Sequence, residues 1–112
     1  MTIFNLPDNL VKYNFWNQLS DLKFIKRIYL FGSRARNDNS NLSDIDIAIE
    51  LFNNDNNSIN WEIILDIIDS ADTLLKIDVI NITTDNNNNT NQLNVKLLNN
   101  IKKYSKVILD RE

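Results

Sequence analysis

Apolar and polar residues alternate along this chain with two different periods, and the switches between the periods mark out its elements. Leu10, Val11, Phe15, Trp16, Leu19 and Leu22 follow Pro7-Asp8 at spacings of mostly three to four. Proline suits the first turn of a helix, so residues 8 to 22 are expected to form an amphipathic helix. Arg27 to Phe31 is a short apolar run that stops at Gly32, which predicts a strand. From Asp44 to Leu51 the period is two, with Ile45, Ile47 and Ile49 on one face and Asp44 and Asp46 on the other. Residues 59 to 74 read as a second long helix, 76 to 82 as a third strand, 92 to 103 as a helix with Leu93, Leu97, Leu98 and Ile101 inward, and Lys106 to Leu109 as a closing strand. The runs Asn53-Asn54-Asp55-Asn56-Asn57 and Asp85-Asn86-Asn87-Asn88-Asn89 read as loops, because asparagine bonds its own backbone. Helices interleaved with strands in this order predict an α/β (α+β) fold in which helices pack on a mixed sheet.

The helix expected at 59 to 74 is broader in its apolar surface than one core face requires. Ile59, Trp61, Ile63, Ile64, Leu65, Ile67 and Ile68 spread around most of its circumference, and Glu62, Asp66 and Asp69 confine the polar part to one strip. Either the helix is buried between the sheet and another helix, or part of it docks a more basic partner.

Composition narrows the chemistry. The 112 residues suit one domain spanning 1–112, with a single core and no room for a separate substrate-binding domain. The chain has neither cysteine nor histidine, so disulfides, zinc-thiolate sites and the usual general base are excluded. Any catalysis must run on carboxylates, arginines, lysines and metal. The N-terminus has no basic segment leading into an apolar core, and no run approaches a membrane span, so a cytoplasmic protein without a membrane partner is expected. A net charge of -3 argues against direct binding of duplex nucleic acid. From Asn37 to Leu75 there is no Lys or Arg, yet Asp38, Asp44, Asp46, Glu50, Asp55, Glu62, Asp66, Asp69 and Asp72 all fall there. Surface acidity accounts for most of these, and two are assigned to metal.

Those two stand beside a phosphate-compatible turn. Gly32-Ser33-Arg34-Ala35-Arg36 leaves one apolar strand, and Ser43-Asp44-Ile45-Asp46 opens the next. Side chains at i and i+2 of a strand share a face and lie about 6.6 to 7 Å apart along the backbone, so Asp44 and Asp46 can converge on the same ions. Asp78, in the run Lys76-Ile77-Asp78-Val79-Ile80, is a third candidate. The plainer readings are a strand-start cap for Asp44, a solvent-face residue for Asp46 and ordinary strand patterning for Asp78. Gly32 would let the backbone approach phosphates, and Ser33 would donate its hydroxyl and amide to them, although a simple turn uses the same pair. Arg34 and Arg36 lie two apart and would not share a face on a helical turn, so at most one reaches a phosphate directly; Arg34 is favoured. Ser43 fixes the strand start.

A glycine-serine turn, a DxD pair and a distant single aspartate, in that order from Ile28 to Ile80, resemble the nucleotidyltransferase superfamily of DNA polymerase beta and kanamycin nucleotidyltransferase. The closer likeness is to the minimal nucleotidyltransferases, the short MNT-type antitoxins encoded beside HEPN toxins. One departure is visible: Asn37 stands where the family often has glycine, and asparagine is the next most tolerant of left-handed backbone. The resemblance implies a polymerase-beta-like palm. It also implies a protein adenylyltransferase that uses two Mg2+ ions and ATP to move AMP onto a tyrosine of a HEPN ribonuclease toxin and so silences it. Asp44 and Asp46 would then be shared metal ligands, Asp78 would bind the catalytic metal and help deprotonate the acceptor, and Gly32, Ser33 and Arg34 would bind the nucleotide. Two further readings remain. One is a binding antitoxin of the same fold that neutralises its partner by contact. The other is a DxD phosphatase, which lacks the hydroxyl two residues after the second aspartate, where Ala48 stands, and leaves Gly32-Ser33 unexplained.

Overall fold

The computed structural model describes residues 3–4, 10, 13–32, 44–83 and 105–111. Seven elements follow one another in these segments: β1 (Ile3–Phe4), α1 (Phe15–Ser20), β2 (Ile25–Phe31), β3 (Ile45–Leu51), α2 (Asn57–Asp69), β4 (Ile77–Asn81) and β5 (Lys106–Asp110). The strands form one mixed sheet in the order β1-β5-β2-β3-β4. β2 is antiparallel to both β3 and β5, and β1 to β5, whereas β3 and β4 run parallel. A parallel pair needs a crossover, and α2 supplies it.

One face of the sheet carries the core. Ile45, Ile47 and Ile49 of β3 are fully buried beside Ile28 and Leu30 of β2, and Phe15, Trp16 and Leu19 of α1 close over them with Ile64 of α2. Each such side chain contributes about 1.5–3 kcal/mol of transfer free energy. In β5 the consecutive Ile108 and Leu109 both join this core. Strict alternation forbids that, and a register shift against β2 between Ile28 and Tyr29 permits it. On the opposite face Tyr29, Ala48 and Ile82 form a smaller apolar cluster with Phe31 and Ile80 packed against it.

Two expected helices have different bounds. Where 8 to 22 was expected, α1 covers Phe15–Ser20, while Pro7-Asp8 lies outside the described residues. Its start is fixed from a distance: the Asn14 N–H donates to both Asp72 carboxylate oxygens at 2.9 Å, and Phe15 N–H to Oδ1 at 3.3 Å. Its end is fixed by the Arg111 guanidinium, which donates to the carbonyls of Ser20, Leu22 and Ile25. Where 59 to 74 was expected, α2 covers Asn57–Asp69. The Asn54 side chain accepts from Asn56 N–H at 2.9 Å and draws the start forward. At the other end the apolar pattern runs on through Leu74 and Leu75, but Asp72 has turned away to α1, and Thr73 Oγ1 accepts from Leu75 N–H at 3.0 Å in a turn. The strands fall close to expectation. The pairing of β1 with β5, Ile3 opposite Asp110 and Phe4 opposite Leu109, has no counterpart in the sequence pattern. The helix expected at 92 to 103 lies outside the described residues.

Candidate functional site

The acids expected to converge sit at the same end of β3 and β4, on the sheet face away from the two helices. Asp46 and Asp78 are direct register partners in the parallel pair. The strand start that carries them is held by Ile45 N–H donating to the Lys76 carbonyl at 2.9 Å. Asp44 precedes β3 and is exposed, whereas Asp46 and Asp78 are partly buried.

Asp46 is the electrostatic centre of the group. Its pKa is raised, first by burial, then by the charge of Asp78 and a side-chain hydrogen bond with it, and then by the charge of Asp44; Lys76 acts in the opposite sense. Two neighbouring carboxylates thus act on Asp46 across the strand ends. Lys76, which no sequence argument singled out, reaches Asp78 Oδ1 with its Nζ at 3.6 Å, an exposed pair. Its signal was available: residues 76 and 78 share a strand face.

Gly32 closes the site from β2. Its φ is 74°, left-handed backbone that side chains disfavour. A Cβ built there would meet Asp46 Oδ2 at 2.4 Å and its Cγ at 3.3 Å. The glycine therefore serves two purposes, because the turn needs the positive φ and the Asp46 carboxylate occupies the space a side chain would take. Phe31, paired with Asp46 across β2 and β3, forms the apolar floor alongside. Ser33, Arg34, Arg36, Asn37 and Ser43 lie outside the described residues.

Whether a metal fits is answered by the donor set. Among the described residues no three acids are gathered closely enough to cage an ion on their own. Asp46 and Asp78 nonetheless meet carboxyl to carboxyl, and with Asp44 acting on the same point the arrangement raises a pKa that a bound cation would lower. Magnesium takes one or two protein carboxylates and completes its shell with water and substrate phosphates. The pair fits that habit and does not require a closed cage.

Away from this site, Arg27 bridges strands on the same face, with Nη1 3.1 Å from Glu50 Oε1 and Nε 3.3 Å from Asp110 Oδ1. It ties β2 to β3 and β5. No helix among the described residues is long and apolar enough to cross a membrane.

Residues 14–112 match the family described as polymerase beta, nucleotidyltransferase. No curated protein matches the sequence. Among solved structures, one described as a toxin-antitoxin with AMP-PNP is 20% identical over 88% of this chain and 73% of its own, with a TM-score of 0.57. Another, described as the toxin-antitoxin MntA-HpeT with two aspartates changed to glutamate, is 18% identical over 86% of this chain and 70% of its own, with a TM-score of 0.54. At these identities the likeness is one of fold.

Proposed function

The chain belongs to the polymerase beta nucleotidyltransferase family, and from that premise we propose that it is an antitoxin that transfers AMP from ATP to a hydroxyl of a cognate HEPN ribonuclease toxin, a tyrosine being the expected acceptor. The observation that carries the reading is the meeting of Asp46 with Asp78, with the Asp46 carboxylate seated against Gly32 in the space a side chain would take. The toxin-antitoxin structures that share the fold, one of them with AMP-PNP, support the choice of nucleotide and partner.

In this reading Asp44 and Asp46 would be the shared magnesium ligands at the start of β3, and Asp78 would hold the catalytic ion from β4. Bound magnesium supplies charge neutralisation on the triphosphate and a lowered pKa at the acceptor hydroxyl. Gly32 leaves the backbone open to the phosphates, with Ser33 donating to them and Arg34 screening their charge. Asp78 orients the acceptor oxygen and draws off its proton as that oxygen attacks the α-phosphorus and pyrophosphate leaves. Phe31, opposite Asp46 in register, and Ile80, two residues on from Asp78, give that side of the acids an apolar margin.

Co-expression with the protein of the adjacent reading frame, followed by intact-mass spectrometry, tests this. The partner should gain one or more AMP masses with the wild-type chain and none with Asp78→Asn. A partner that is neutralised without any mass gain would establish the second reading, inhibition by contact.

A further inference from the structure

The outer face of α2 is left bare by the described part of the fold. Ile64 enters the core and Trp61, Ile67 and Ile68 pack at its margin, while Ile59 is 59%, Ile63 39% and Leu65 37% exposed. At about 100° per residue, Glu62, Asp66 and Asp69 run down the middle of this face, with Ile59 and Ile63 along one side and Leu65 along the other. Beside the first half of the helix opens a groove lined by Asp55, Trp61, Glu62 and Leu65, with Asn81 and Thr83 from the end of β4.

The lining specifies an occupant. Carboxylates, amide oxygens and an indole ring around an apolar margin suit a cationic head on an aliphatic stem. A second copy meeting this one through the same faces would set the Glu62, Asp66 and Asp69 row against its own image, and like charges opposed across an interface are costly. We propose that the outer face of α2 and its adjoining groove form a docking surface for a protein partner that presents an apolar stripe flanked by lysine or arginine. The proposal rests on the reading of the chain as one that acts on another protein, and it adds where contact is made. α2 covers the sheet face of Ile45, Ile47 and Ile49, whereas Asp46 and Asp78 alternate onto the other. A partner held here is held independently of the acid pair, so contact and transfer are separable.

Trp16 is fully buried, so Trp61 is the indole placed to report on the groove. The probes are an amphipathic Leu/Lys helical peptide and its Leu/Glu counterpart, titrated against the full chain by tryptophan fluorescence at two ionic strengths. The Leu/Lys peptide should bind saturably and more weakly in salt, and the Leu/Glu peptide should not bind. Glu62→Lys with Asp66→Lys should weaken the Leu/Lys complex about tenfold, the scale of two exposed ion pairs removed and reversed, and leave Mg-ATP binding unchanged. Ile59→Ser with Ile63→Ser should weaken it as well. Equal affinity for both peptides, indifference to the charge reversal, or self-association of the wild type that the reversal abolishes would each overturn the proposal. Neither peptide is a toxin or an acceptor, so these outcomes are independent of whether AMP is transferred.

Discussion

Gly32 and Asp46 compete for one small volume, and that competition sets the properties of the site. Gly32→Ala places a methyl group 2.4 Å from Asp46 Oδ2 at a φ of 74°. The left-handed backbone alone costs about 1–2 kcal/mol, and the carboxylate must also move, so thermal stability should fall and Mg-ATP affinity with it. Asp78→Asn should act in the opposite direction on stability. Because Asp46 titrates above the ordinary carboxylate range, the folded chain keeps a proton there that the unfolded chain has lost. Stability therefore falls as pH rises from the ordinary carboxylate pKa through the raised one, and the repulsion is fully present above it. Metal-free Asp78→Asn should melt higher than the wild type at neutral pH, with the gain vanishing under acid conditions; a scan in which the variant melts lower at neutral pH would contradict the mutual repulsion. Much of this site was legible residue by residue, since an i, i+2 acid pair and a glycine turn state their own geometry. The close approach of Gly32 to Asp46 was not, because it depends on β2 and β3 being neighbours in a particular register.

Among the elements, the helices were the least legible and the strands the most. A strand's period of two survives in any sheet, so β3 declared both its faces through Ile45, Ile47 and Ile49. Helix ends are set by partners distant in sequence, and α1 is bounded at one end by Asp72 and at the other by Arg111. Neither could be read from the segment between. Asp72 has a lowered pKa, chiefly through the Asn14 N–H bond. Its contribution is therefore present above the ordinary carboxylate pKa and is lost as pH falls through the lowered value. Asp72→Ala should melt below the wild type at neutral pH, with the two converging in acid. Arg27 offers a second test at this scale. Arg27→Ala strands Glu50, which is only 7% exposed, beside Asp110, and should cost about 3 kcal/mol by urea denaturation. Arg27→Ala with Glu50→Gln should recover part of that loss.

At the scale of the whole molecule, the sheet divides the protein into two working faces. Helices α1 and α2 seal one, and α2 leaves its acidic outer surface exposed; the other carries the acids and the small apolar floor of Phe31, Ala48 and Ile80. The fold class and this division followed from the sequence, because alternation in β3 assigns Asp46 and its isoleucines to opposite sides. The breadth of the apolar surface on α2 was legible too, but whether the sheet would consume it depended on the packing. The structure leaves Ile59 out. Everything proposed for the acid face rests on its holding a magnesium-bound nucleotide. Calorimetric titration of Mg-ATP into the wild type and into Asp44→Asn with Asp46→Asn tests this most directly. Saturable, magnesium-dependent binding by the wild type and its loss in a double variant that stays folded is the result expected, and equal affinity in the two would contradict the account.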